Sequence, residues 1–229
     1  MSITWSITGT TEQVTFNGEG SWNNDVHFDV NNVAVTSETI TSTGTGSWVY
    51  LLNSGGAVAA LNINGNVYAW LTIDPLFFSH LSSINASVDT GGVFVDLTHG
   101  GIKSSFTFTG GSGTNFVAIN TANLDALTSG SQLNGGSATS GNTLAIKGIG
   151  TFTGSSASTG EYKILNATKG FQNLLVGIGN SSIVINDAFL ATKGFATHII
   201  DAQDGGSLTV TNVGSTYTCL LYTSPSPRD

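Results

Sequence analysis

Residues 10–22 read TTEQVTFNGEGSW, and residues 36–48 read TSETITSTGTGSW. Seven of the thirteen positions are identical at an offset of 26, among them Gly18/Gly44, Gly20/Gly46 and Trp22/Trp48. A similar pitch recurs towards the other end of the chain. ATKGF stands at 167–171 and again at 191–195, an offset of 24. GNSSIVIND (179–187) is answered by DGGSLTVTN (204–212), an offset of 25. Two unrelated segments that repeat at nearly one period predict a backbone coil laid down again and again.

What fills a coil follows from the alternation inside it. SITWSIT (2–8), EQVTF (12–16), AALNING (59–65), VFVDL (93–97), NTLAI (142–146) and LTVTN (208–212) mostly place apolar residues against polar ones at every second position. Such runs read as short strands with one buried face. NSGG (53–56), DTGG (89–92), HGG (99–101) and DGG (204–206) supply the turns between them. Pro75 is the sole proline before residue 219, so little interrupts a strand ladder. Helical signal is confined to PLFFSHLSSI (75–84) and NTANLDAL (120–127), each expected as a corner or rung insertion. The predicted fold is all-β, a parallel β-helix with coils of about 24–26 residues. It should occupy residues 1–218 as one domain, a fragment of a longer chain. An antiparallel sandwich has no reason to repeat GxGSW at one coil's distance.

Composition restricts function more than it names it. Charged residues make up 9% of the chain against roughly a quarter in an average domain. The 39% hydrophobic content in alternating runs favours ordered β structure over disorder. A net charge of −8 argues against nucleic acid as a partner. No run is long and apolar enough for a membrane span. MSITWSITGT carries neither the basic nor the apolar region of a signal peptide, so an extracellular role requires a start further upstream.

The segment CLLYTSPSPRD (219–229) departs from the rest. It holds the sole Cys (Cys219), the sole Arg (Arg228) and two of the three prolines. It resembles a translated sequencing adapter, as in a metagenomic fragment, and is expected to lie outside the fold. The coil ending at LTVT (208–211) would then expose an unpaired edge and promote self-association.

The Gly-, Thr-, Ser- and Asn-rich coils, with no cysteine in 1–218 and few charges, resemble bacterial surface adhesins and autotransporter passengers of the haemagglutinin-repeat type. That resemblance implies a secreted, cell-surface protein that attaches to a host glycan or protein. Two other readings of a β-helix stand beside it. One is a carbohydrate-active enzyme of the polysaccharide lyase or hydrolase kind, or a phage tail-spike fragment. The other is an ice-binding solenoid, whose candidate ligand surface is the TxT pairs Thr107/Thr109, Thr151/Thr153 and Thr209/Thr211.

Candidate chemistry is sparse. Asp201 and Asp204 in DAQDGG are the weak Ca²⁺ candidates, being hard oxygen donors beside a turn. GGSGTNFVA (110–118) has the glycines of a calcium-binding nonapeptide, but Asn115 stands where its carboxylate belongs, so a plain turn is expected. Asp25, His27 and Asp29 share one strand face without a further ligand in view. No GxSxG elbow or HExxH pair occurs, the four histidines are scattered, and no catalytic residue or cofactor is assigned. Trp22 and Trp48 recur with the repeat and are expected to stack in the interior.

Overall fold

A computed structural model describes residues 2–20, 24–74, 79–127, 132–152, 167–176, 182–186, 195, 197–201, 207–211 and 219–222. Its chain winds between two large sheets. Sheet A holds β1 (Ile3–Thr8), β2 (Thr11–Asn17), β4 (Ser37–Thr43), β6 (Ala60–Gly65), β8 (Ser83–Asn85), β10 (Thr107–Thr109), β12 (Leu133–Asn134) and β15 (Thr168–Lys169), in that spatial order. Sheet B holds β3 (Val26–Asp29), β5 (Ser47–Leu52), β7 (Ala69–Ile73), β9 (Val93–Leu97), β11 (Phe116–Asn120), β13 (Thr143–Lys147), β16 (Asn173–Val176), β18 (Thr197–Asp201) and β20 (Cys219–Tyr222), again in order. A third strand per coil joins late, as sheet C: β14 (Ile149–Phe152), β17 (Ser182–Asn186) and β19 (Ser207–Thr211). Successive strands of each sheet are parallel, apart from the opening β1–β2 hairpin. This is the predicted β-solenoid.

The sequence repeats set the strand register. β2 lies on β4 with Thr11 opposite Ser37 and Glu12 opposite Glu38, the offset of 26 read from the repeat. β17 lies on β19 with Ser182 opposite Ser207, an offset of 25, and β16 on β18 with Asn173 opposite Thr197, an offset of 24. Elsewhere the step varies from 21 residues (His198 opposite Cys219) to 35 (Leu133 opposite Thr168). Corners absorb these differences while the inward columns stay continuous.

Those columns form the core. Val49, Leu71, Val95, Val117, Leu144 and Leu174 stack in register behind sheet B, each at most 1% exposed. Leu61, Ile84, Phe108 and Leu133 do the same behind sheet A. Full burial of one such side chain contributes roughly 1.5–3 kcal/mol, so a continuous column holds the coils together strongly. Phe171 and Phe195 are both buried in this core.

The repeated GxG has a backbone cause. Gly18, Gly20, Gly44 and Gly46 all have positive φ, from 68° to 100°, which side chains rarely tolerate. A Cβ on Gly20 would also come within 2.5 Å of the Trp48 carbonyl oxygen. At the corners, buried amides replace missing ladder bonds. Asn115 Oδ1 accepts from Val93 N, and its amide donates to the carbonyls of Gly113 and Gly135 at 2.8 Å each. Asn142 Oδ1 accepts from Asn115 N at 2.9 Å, and Gln172 Oε1 accepts from Asn142 N at 3.1 Å. The result is an internal polar ladder that answers each orphaned amide.

One expectation of helix holds and two expectations change. The segment 120–127 does form a helix, α1 (Thr121–Ala126), capped by Asn120 Oδ1, which accepts from Asn123 N at 2.7 Å. In 75–84, by contrast, Ile84 points into the core from strand β8, because its inward column needs an aliphatic there; residues 75–78 lie outside the described residues. Cys219–Tyr222, expected outside the fold, pairs with β18 as the last strand of sheet B. The apolar run CLLY is strand-competent, and an open sheet edge accepts any such run.

Candidate functional site

Alternation in a strand sends every second residue outward, so each sheet has an outer face that the core does not specify. On sheet A that face is polar and, apart from Lys169 on β15, neutral among the described residues, with Gln13, Thr15, Thr39, Thr41, Asn62 and Asn64 typical of it. Sheet B is different. Its outer row runs Trp48, Trp70, Phe94, Phe116 on four successive coils, each ring only partly buried. Phe94 stacks on Trp70 with centroids 3.8 Å apart and planes 11° apart, and Phe116 stacks on Phe94 at 4.9 Å and 20°.

Two residues along each strand lies a second outward row: His27, Tyr50, Thr72, Asp96. The His27 ring stacks on Tyr50 at 4.9 Å, and His27 Nε2 lies 3.7 Å from Asp25 Oδ1. Tyr50 donates its hydroxyl to Asp74 Oδ2 at 3.1 Å, and burial followed by that carboxylate raises its pKa. Burial alone pushes Tyr68, tilted against Trp70, up to about 12. Asp96 Oδ1 accepts from Thr98 N at 2.8 Å, while Oδ2 faces His99 Nδ1 at 3.4 Å.

Between the two rows opens a cleft of about 380 Å³ lined by Asp25, Trp48, Trp70, Thr72, Phe94 and Asp96. Among the described residues its lining combines three aromatic rings, one hydroxyl and two carboxylates, with no basic side chain. Asp25 precedes β3 and Asp96 lies in β9, three strands further along the sheet. Three strand spacings and two residues along the strand put their backbones roughly 16 Å apart. Paired carboxylates that hydrolyse a glycosidic bond stand roughly 5–10 Å apart, closer than this backbone separation.

The residues singled out in the sequence lie elsewhere. Asp201 ends β18, with its backbone opposite Tyr222, and Asp204 is outside the described residues. The TxT pairs do not share a face. Thr107 and Thr109 belong to sheet A, whereas Thr151, Thr209 and Thr211 belong to sheet C, with Val184 between Thr151 and Thr209; Thr153 is outside the described residues. Asn115 is fully buried and fully bonded in the corner ladder, as a turn residue should be. Asp29 accepts from Ser54 N and Oγ at 2.9 and 2.7 Å, so it turns to the next coil instead of joining Asp25 and His27. Among the described residues no group of three or more His, Cys, Asp or Glu is placed to hold a metal.

Trp48 was expected in the interior beside Trp22. It is instead an outward residue in register with Trp70, while Trp22 lies outside the described residues. The interior side of β5 is taken by Ser47, Val49 and Leu51, and strand alternation then leaves Trp48 no inward position. The aromatic row has no single period in the sequence, because its members are 22, 24 and 22 residues apart. The signal available was local: SWV, AWL, VFV and NFV each set an aromatic next to an inward aliphatic.

One buried polar feature stands apart from this face. Glu38 is 0% exposed, and neither carboxyl oxygen has a hydrogen-bond partner. Glu12 lies directly opposite it in register. Burial, and then the neighbouring Glu12, push Glu38 up to about 8.

The chain matches no known protein family, no curated protein and no solved structure. Among the described residues no helix is long and apolar enough to cross a membrane.

Proposed function

We propose that this chain is a structural and adhesive segment of an extracellular β-solenoid surface protein, and that the outer face of sheet B is its attachment surface. The observation that carries the reading is the aromatic row on four successive coils beside an open cleft. Nothing in the fold requires it. The inward columns hold the coils together, and sheet A manages the same stacking with a polar exterior. The edges of the stacked indole and phenyl rings supply a line of apolar surface beside the cleft, with Asp25, Asp96 and Thr72 at hand for hydroxyl groups. A solenoid repeats such contacts along its axis, which suits an extended glycan on a host surface. The wide separation of the two cleft carboxylates favours retention of the ligand over its cleavage.

The test is a binding screen of the purified chain against immobilised oligosaccharides, alongside Trp70→Ala. Retention of at least one oligosaccharide class that is lost in Trp70→Ala supports the reading. Retention unaffected by Trp70→Ala moves the attachment surface elsewhere, and release of shortened sugar products replaces adhesion with catalysis.

A further inference from the structure

We infer that this chain pairs with a second copy of itself through the free edge of β1, forming a two-fold dimer centred on Trp5. β1 is the outermost strand of sheet A, and every residue of it is exposed. It turns back on β2 through Gly9, whose φ of +62° suits the first position of a tight hairpin turn, and so runs against the parallel series. Residues opposite one another in a ladder share a face, so Ile3, Trp5 and Ile7 extend the inward columns of Phe16, Val14 and Glu12 past the last coil. They are 42%, 64% and 39% exposed. Sheet edges are ordinarily guarded by a charge, a proline or a bulge, and β1 has none of these.

The ladder also decides which backbone groups are open. Asn17 N donates to Ser2 O at 3.1 Å, so the even-numbered residues of β1 turn their N–H and C=O towards β2. Those of Ile3, Trp5 and Ile7 point the other way. The three residues with open backbone groups are thus the three with apolar side chains. ITWSI (3–7) reads nearly the same in both directions. An antiparallel second copy centred on Trp5 sets Ile3 opposite its Ile7, Trp5 opposite its Trp5 and Thr4 opposite its Ser6, and it pairs all the open groups of the three. A shift of two residues either way leaves one of the three outside the β1 pairing.

The two-fold axis of such a pair stands perpendicular to the sheet, so both indoles lie on the inward face. Among the described residues sheet B has no strand opposite β1: it begins at β3, whose Phe28 packs edge-on against Phe16 of β2. The two Trp5 side chains occupy that space. An indole of up to about 250 Å² that is 64% exposed offers roughly 160 Å². With the isoleucines and the strand edges, the two copies bury on the order of 1,000 Å² in total, the low end of specific interfaces. A weak, concentration-dependent dimer follows, independent of the attachment surface on sheet B.

The experiment is sedimentation of the whole chain from about 1 to about 500 µM, a range that brackets a weak interface. Expected is a monomer that passes to a dimer and stops there. Trp5→Lys should weaken the dimer at least tenfold with an unchanged circular dichroism spectrum. Gln13→Lys puts the same charge on the outward face of β2 and should leave the dimer intact. Register is read by cross-linking in a Cys219→Ser background, with Thr4→Cys and Ser6→Cys proteins mixed and oxidised. Thr4 and Ser6 of the second copy stand about 4.5 Å apart between Cα atoms, whereas two copies of Thr4, or two of Ser6, are more than about 7 Å apart and out of disulfide reach. The mixture should yield the mixed disulfide, and neither protein alone should cross-link efficiently.

A parent that stays monomeric across the range overturns the inference. So does a dimer that survives Trp5→Lys, which places the contact elsewhere, or a series of ever larger species, which excludes a closed pair. Disulfides that form as readily within either single-variant protein as in the mixture overturn the register centred on Trp5.

Discussion

Replacing Glu38 by Gln should stabilise this protein at neutral and alkaline pH and flatten its pH dependence. Glu38 is completely buried in an inward column of sheet A, where the next coils place Leu61, Ile84 and Phe108. Its folded pKa of about 8 lies above the ordinary 4.5, chiefly through burial and then through Glu12. Below the ordinary value both folded and unfolded chains carry the proton, and the residue contributes no pH dependence. As pH rises past 4.5 the unfolded chain ionises alone and gains free energy that the folded chain cannot share. Stability therefore falls steadily until about pH 8, where the folded chain begins to ionise too. At about 1.4 kcal/mol per unit, the full interval between 4.5 and about 8 is worth about 5 kcal/mol. In a chain of this length that corresponds to roughly 10–20 °C in thermal midpoint. Glu12, raised by burial, and Asp89, raised to about 6 chiefly by burial, act in the same direction. The assay is a set of thermal or urea melts between pH 4 and pH 9 on the parent and on Glu38→Gln. Gln has the shape of the protonated acid and does not titrate, so the two proteins should be similar at pH 4 and diverge as pH rises. A parent midpoint that is flat or rising from pH 5 to 8, or a variant with the parent's slope, would refute the reasoning.

Phe108→Ala opens a cavity in the sheet A column and should cost about 3–5 kcal/mol, whereas Thr107→Ala on the same strand, facing solvent, should stay within about 0.5 kcal/mol; paired urea melts check this. Asn115→Ala removes the acceptor for Val93 N and the donors for Gly113 and Gly135, and a loss of several kcal/mol with an unchanged strand signature in circular dichroism is expected. Gly20→Ala should destabilise more than a surface Gly→Ala change, because φ is +76° and the new Cβ meets the Trp48 carbonyl oxygen; the thermal midpoint reports it. Excess Ca²⁺ against chelator should leave the midpoint unchanged, since Asn115 is committed to backbone groups; a large rise with Ca²⁺ returns Asp201 and Asp204 to consideration.

The parts of this fold that could be read in the sequence are those where one coil copies another residue for residue. Glu12, Val14 and Thr15 fall opposite Glu38, Ile40 and Thr41 because the intervening corners have the same length, and the offset of 26 is then a physical distance of one strand. Between β4 and β12 no copy is visible, although the stacking is just as regular. There the step drifts between 22 and 25, because α1, Asn corners and glycine turns of different lengths bridge the same angle. Position in space is conserved from coil to coil while position in sequence is not. The Glu12–Glu38 pair was present in the quoted repeat, yet its burial was not readable, since Glu on a strand ordinarily faces water. Only the inward phase of β2, fixed by Val14 and Phe16 on either side of Thr15, reveals that position 12 points inward.

The same logic explains why the candidate site has no sequence motif. Catalytic motifs survive in sequence because their residues are tied to one turn of backbone at fixed spacing. A solenoid site is assembled at right angles to the chain, one residue per coil. Trp48, Trp70 and Phe94 come from three separate strands and Asp25 from just before a fourth, and no short window contains two of these four. What binds them is the strand spacing, which brings residues 22–24 apart to within one ring stack, as Trp70 on Phe94 at 3.8 Å shows. A chemically distinctive column is therefore the natural unit of function in such a fold. On this molecule we propose the outward aromatic column of sheet B as such a unit. Its neighbouring inward columns would pack as well behind threonine, and sheet A demonstrates that they do. The aromatic rings are thus a choice that stability does not impose. Coil-by-coil substitution along the row, Trp48→Thr, Trp70→Thr and Phe94→Thr in separate proteins, should separate the two demands: binding should fall at each position while the melting midpoint changes little. A midpoint that collapses at all three positions would make the row a structural brace and take the attachment surface away from sheet B.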